Sequence, residues 1–201
     1  MTQDNQRLAA LIGSRICHDL ISPVGAIQNG VELLAMERQA GPELALIEDS
    51  VNNASARIRF LRIAFGLAGA GQPMSPQEIC GTLSDIGRAG RIRHDWIPVE
   101  TCTRRETQEV FLAMMCLESA MPRGGTISVA TGGQGWTVSG PADPDRPDPA
   151  LWRMLASNAV GVADVVPAQV QFAFLSGQLA DRGVAALVVT AGEGITIRLP
   201  A

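Results

Sequence analysis

The sequence is short of the residue types that build metal, redox and nucleic-acid sites. Its 201 residues hold two histidines, His18 and His94, and four cysteines, Cys17, Cys80, Cys102 and Cys116. No two cysteines form a CxxC, and none pairs with a histidine at ligand-like spacing. A metal site is therefore not expected, and the thiols read as reduced, in a reducing compartment. The formal net charge is −4, with no basic run to follow a nucleic-acid backbone. No apolar run approaches the length of a membrane span, and the opening MTQDNQRLAA lacks a signal-peptide pattern. The expectation is a cytoplasmic protein that engages neither nucleic acid nor membrane. An apolar fraction of 46% suffices for a core, in a chain long enough for one or two small domains.

What is present is organised around Arg15 to Leu34, RICHDLISPVGAIQNGVELL. Unrolled as an α-helix at about 100° per residue, Leu8, Ile12, Ile16, Leu20, Val24, Ile27, Val31 and Leu34 form one broad apolar stripe. His18 points away from it, among Arg7, Leu11, Ser14, Arg15, Ser22, Gly25 and Asn29. The imidazole is thus expected on the water side of an amphipathic helix. Asp19 follows it directly and can orient or charge-stabilise a ring nitrogen. Pro23 cannot donate to the carbonyl of Asp19 and is expected to kink the helix. Gly25 removes bulk from the His18 face. A helix that only packs has no use for Pro23 or Gly25, whereas one that brings another protein close to His18 does.

The first helix is expected over about 4–38, with Gly41 as a C-terminal cap and Pro42 restarting the chain. The second runs over about 43–69, with Leu44, Ile47, Val51, Ala54, Ile58, Leu61, Phe65 and Ala68 spaced by alternating threes and fours, the pattern of a bundle seam. Two helices cannot bury two such stripes alone, so a second copy of the hairpin, giving a homodimeric four-helix bundle, is the simplest source of cover. The alternative is that the rest of the chain covers them. AGAGQPMSP, residues 68–76, marks a boundary between a hairpin domain, 1–70, and a second domain, 71–201. Ser75 reads as the N-cap of a helix through about Arg88. Further elements are expected at Arg91–Val99 (strand), Arg104–Met121 (helix), Thr126–Thr131 and Trp136–Ser139 (a hairpin across Gly132–Gly135), 150–158 and 167–182 (helices), and Ala185–Thr190 and Gly194–Leu199 (paired strands). The fold class is α+β: a helical hairpin followed by an α/β sandwich with helices on one face of a mixed sheet. His94 is expected to be structural or solvated, and Trp96, Trp136 and Trp152 to lie in the core or at its edge.

A helical hairpin carrying His18-Asp19-Leu20-Ile21-Ser22-Pro23-Val24, an H-D-x-x-x-P motif, ahead of such a sandwich resembles the two-component sensor histidine kinases. The stretch Ala120-Met121-Pro122-Arg123-Gly124-Gly125-Thr126-Ile127 and the ending Gly192-Glu193-Gly194-Ile195-Thr196-Ile197-Arg198-Leu199-Pro200 are kinase-like as well. The nucleotide motifs depart from the pattern. The helix that should carry magnesium-binding asparagines reads VFLAMMCLESAM, residues 110–121, with none. Val138 stands where the adenine-reading aspartate belongs, and Val166-Pro167-Ala168-Gln169-Val170-Gln171 opens the later helix without the expected glycines. Asp143, Asp145 and Asp148 read as a solvated acidic loop. The resemblance therefore implies no ATP site, and no cofactor or metal bound by this chain.

A kinase-shaped chain with its histidine and without its nucleotide site resembles the ChpT-type histidine phosphotransferases of bacterial phosphorelays. That resemblance implies a dimeric hairpin whose His18 accepts phosphoryl from the receiver domain of a hybrid kinase and passes it to response regulators, CtrA-like ones among them. Magnesium would sit on the partner receiver. Asp19 would orient the imidazole, and Leu11, Arg15, Ser22, Pro23 and Gly25 are the candidate partner-binding residues. Three other readings remain open: a scaffold that binds response regulators without chemistry, a divergent kinase, and a receiver phosphatase using Asp19 and Ser22.

Overall fold

The computed structural model describes residues 3–36, 42–67, 71–96, 102–143, 145–157 and 164–201. Helices α1 (Gln3–Met36) and α2 (Pro42–Phe65) pack along each other as a hairpin. α1 runs unbroken through Pro23, whose ring is buried. The cap expected at Gly41 lies outside the described residues.

The two expected stripes divide. The lower end of α2 enters the core with Phe60, Leu61, Ile63 and Ala64 all buried. Higher up, Leu44, Val51 and Ile58 on α2 and Val24 and Val31 on α1 stay exposed at seven-residue spacing. Within one chain the sandwich covers one end of the hairpin and leaves the rest of its seam open.

The chain then forms β1 (Pro73–Met74), α3 (Pro76–Ala89), β2 (Ile92–Trp96), β3 (Cys102–Thr103) and α4 (Arg104–Glu118). The Ser75 hydroxyl caps α3 by accepting from the Glu78 N–H at 3.2 Å. β1 and β3 form a two-stranded antiparallel ladder too short to show in sequence periodicity. α4 starts from a capping box, Thr103 with Glu106, and is buried all round from Thr107 to Leu117, as an apolar helix inside a core should be. Its buried polar side chains Gln108 and Glu109 are satisfied. Gln108 donates to the carbonyls of Ala64 and Gly66 and accepts from Gln178, and Glu109 receives Arg105 and Arg182.

β4 (Gly125–Gly132) and β5 (Gly135–Pro141) form the expected hairpin, as do β6 (Leu187–Ala191) and β7 (Gly194–Pro200). The five-stranded sheet has the order β2-β4-β5-β7-β6, with β2 parallel to β4 and every other pair antiparallel. Gly124, in the turn before β4, has φ of 76°, and a Cβ there would strike the Arg91 carbonyl. Helices α5 (Pro149–Ser157) and α6 (Val170–Asp181) complete the helical layer. The single helix expected over 167–182 is instead a 3-10 turn, Pro167–Gln169, followed by α6. Gln169, at φ −118° and ψ 2°, is where the helical path breaks. Trp96, Trp136 and Trp152 are buried. The result is the expected mixed α+β arrangement, with one core running from the foot of α2 through α4 to the sheet.

Candidate functional site around His18

His18 lies midway along α1, and 84% of its side chain is open to solvent. The ring is exposed because the helical period turns it away from the stripe that meets α2. Its Nδ1 lies 3.2 Å from Asp19 Oδ1. A carboxylate oxygen accepts, so the Nδ1–H tautomer is the one that completes this contact, with Nε2 as the ring nitrogen that Asp19 leaves free. The Asp19 carboxyl is only 13% exposed, and its second oxygen accepts from Arg15 Nε at 2.8 Å. Arg15 also donates from Nη1 to the Ala168 carbonyl at 2.9 Å, across 153 positions of sequence. The 3-10 turn before α6 thus reaches the helix that carries His18.

The remaining candidates fall on different sides of α1. Ser22 is exposed, Leu11 is partly exposed, and a Cβ on Gly25 would meet open space. These share the His18 side of the helix. Pro23 is buried and offers no surface there. Arg15 is 22% exposed, with its guanidinium engaged inward. Ile21 was not among the sequence candidates and is 72% exposed one turn beyond His18. Its signal was available, since a bare isoleucine inside an H-D-x-x-x-P motif breaks the polar pattern of the outer face.

Below Asp19 lies a small pocket where α1, α2, β2 and α4 meet, lined by Arg15, Asp19, Arg57, Phe60, His94 and Glu118 among others. His94 is a partly buried structural residue on β2. Both of its ring nitrogens are out of solvent and have no partner among the described residues, and its ring lies 6.5 Å from that of Phe60. Burial holds its pKa down at about 4, so it is neutral at physiological pH.

In the sandwich, Val138 is fully buried between β4 and β7. α6 lies against α4, joined to it through Gln178–Gln108 and Arg182–Glu109. The acidic loop serves local turns. Asp148 Oδ1 accepts from the Ala150 N–H at 2.8 Å at the start of α5, and Asp143 accepts from the Asp145 N–H. Among the described residues no cluster of three histidine, cysteine, aspartate or glutamate side chains could hold a metal ion. No described helix is long and apolar enough to cross a membrane.

The hairpin presents an exposed histidine held by a carboxylate beside an α/β sandwich, and comparison with known proteins gives the family. Residues 76–194 match the family described as histidine phosphotransferase C-terminal domain. Protein phosphotransferase ChpT of Brucella abortus (strain 2308) is 40% identical over 124 residues, which are 61% of this chain and 59% of that protein. The match thus spans somewhat under two thirds of the relative's length. A solved bacterial phosphotransferase superimposes with a TM-score of 0.78 at 28% identity, over 98% of this chain and 97% of its own. The chain belongs to the histidine phosphotransferase family. Within that family it is of the ChpT type.

Proposed function

We propose that this chain is a phosphorelay intermediate that takes phosphoryl from an aspartyl phosphate on a receiver domain and passes it to another receiver. The observation that carries this reading is the exposed His18 ring, with Nδ1 held by Asp19 and Nε2 facing solvent. In the forward step the Nε2 lone pair attacks phosphorus and the bond to the partner's carboxylate oxygen breaks, which restores that carboxylate. The Nδ1 proton stays on the ring against Asp19, which offsets the positive charge that develops on the imidazole. Magnesium on the partner neutralises the phosphoryl oxygens, so this chain contributes mainly position and charge.

The donor in this reading is the receiver of a hybrid kinase, and the acceptors are CtrA-like response regulators. The protein is a cytoplasmic homodimer through its 1–70 hairpin, with 71–201 as a sandwich that has lost nucleotide chemistry. The open seven-residue series on both helices supports the dimer. The buried Val138 supports the lack of an adenine site, since an apolar side chain in the core cannot accept from an amino group. Both oxygens of Asp19 are already engaged, so no observation favours the phosphatase reading over transfer.

The test is incubation with a phosphorylated receiver domain. Radiolabel should move to the wild-type chain and not to His18→Ala, and label retained by that variant would refute the assignment.

A further inference from the structure

We infer that Arg15 is a positioning residue through which the sandwich sets the tautomer of His18. This deepens the phosphotransfer reading and rests on it. His18 is exposed, and among the described residues its ring has one hydrogen-bond partner, Asp19. A single contact at 3.2 Å orients an imidazole only if the carboxylate is itself held still. Arg15 holds it: Nε donates to Asp19 Oδ2 at 2.8 Å, with both side chains mostly out of solvent. The same guanidinium reaches off the helix from Nη1 to the Ala168 carbonyl. That carbonyl is fixed in turn, because it also accepts from Gln171 Nε2 at 3.1 Å, and Gln171 is fully buried at the start of α6.

The path from sandwich to nucleophile is therefore continuous, from Gln171 through the Ala168 carbonyl, the Arg15 fork and the Asp19 carboxylate to His18 Nδ1. The two links made by Arg15 are short, at 2.8 Å and 2.9 Å, and directional. Arginine suits the central place because one planar group donates along two separate directions, which a lysine ammonium on a flexible stem does not reproduce. The other ionisable groups around the Asp19 pocket are Arg57 from α2, Glu118 from α4 and His94 from β2. Arg57 donates from Nε to Asn53, His94 is neutral, and Glu118 repels Asp19. Arg15 is the cation that binds Asp19 directly.

Nitrogen-resolved NMR of the free full-length protein reads the His18 tautomer without any partner. The wild type should show the Nδ1–H form. Arg15→Ala and Arg15→Lys should each show a mixture of both forms, with phosphotransfer from a phosphorylated receiver slowed about tenfold, the scale of one lost charge-assisted hydrogen bond. Methylguanidinium added to Arg15→Ala should restore both the tautomer and the rate, which a general folding defect would not allow. A wild-type tautomer in either variant overturns the inference, and so does failure of rescue. Arg15→Lys retains charge and helix propensity, so it carries the test if Arg15→Ala is poorly folded. Phosphoryl acceptance by His18→Ala would strike the functional reading and leave the tautomer measurement standing, so the two failures are distinguishable.

Discussion

Phe60 of α2 stacks on Phe111 of α4, with ring centroids 4.8 Å apart and planes inclined by 28°. Both rings are buried, in the core that also takes in Trp96 and Ile127. The helix partner of α1 is thereby anchored in the sandwich. Truncating either ring removes apolar contacts and opens a cavity, so Phe60→Ala should cost about 3–5 kcal/mol. Because the core is continuous, urea unfolding followed by far-UV and tryptophan signals should remain one coincident transition at a lower midpoint. A hairpin that melts separately from the sandwich would contradict this.

His94 makes stability depend on pH. Its ordinary pKa of 6.5 falls to about 4 in the fold, because burial penalises the imidazolium. The unfolded chain therefore takes up this proton at a higher pH than the folded chain does. The stability from His94 is full above about pH 6.5 and is lost as pH falls toward 4. The difference corresponds to about 3 kcal/mol over that window. His94→Phe removes the titration and also two unpartnered ring nitrogens beside Phe60. It should be as stable as the wild type or more so at pH 7, and its denaturation midpoint should fall less between pH 6.5 and 4. Equal acid sensitivity in the two proteins would exclude His94 as the source.

Much of this was legible in the chain. Both helices, both β-hairpins, the Ser75 cap and the His18–Asp19 pairing follow from local periodicity and adjacency, which a sequence displays directly. The 3-10 turn at Pro167–Gln169 did not show, because the apolar pattern continues across it while the backbone breaks. The Arg15–Ala168 contact joins residues 153 apart, and no local pattern encodes a side chain bonding to a distant carbonyl. Burial of His94 could have been read from alternation, since Ile92, His94 and Trp96 share one face of β2 and its two flanking residues are core.

The open seam predicts the oligomeric state. Val51 and Ile58 are exposed seven residues apart on α2, with Val24 and Val31 in the same series on α1. Such a stripe is the surface a second hairpin covers in a bundle. Val51→Glu with Ile58→Glu places like charges in that seam and touches none of the buried core residues. Sedimentation should show the wild type as a dimer and the double variant as a folded monomer. A monomeric wild type would remove the dimer from the proposed function.

Magnesium–ATP should leave the thermal midpoint unchanged. A ligand that binds only the folded state raises stability with its concentration, by about 2.7 kcal/mol at a hundred times Kd. With Val138 sealed in the core and α6 bonded along α4, no such rise is expected at millimolar nucleotide. Val138→Asp should not create a site. It should instead lower stability by about 3 kcal/mol or more, because it buries a carboxylate without a partner. A nucleotide-dependent rise in the wild-type midpoint would revive the divergent-kinase reading.

Ile21 should govern affinity for the receiver and not the state of the nucleophile. Among the described residues it is the most exposed of the large apolar side chains on α1, and it sits one turn from His18, where a docked receiver would cover it. Isolated apolar side chains beside a reactive group serve as anchors because burying them on association releases water from a large surface. Replacement by aspartate would leave that surface charged under the partner. Ile21→Asp should weaken receiver binding about tenfold or more by calorimetry. Its denaturation midpoint should stay close to wild type, since the side chain packs on little within the chain. Its His18 tautomer should also match wild type, because Ile21 takes no part in the bonds from Arg15 through Asp19. Wild-type affinity in Ile21→Asp would move the docking surface elsewhere on α1, toward Leu11 and Ser14.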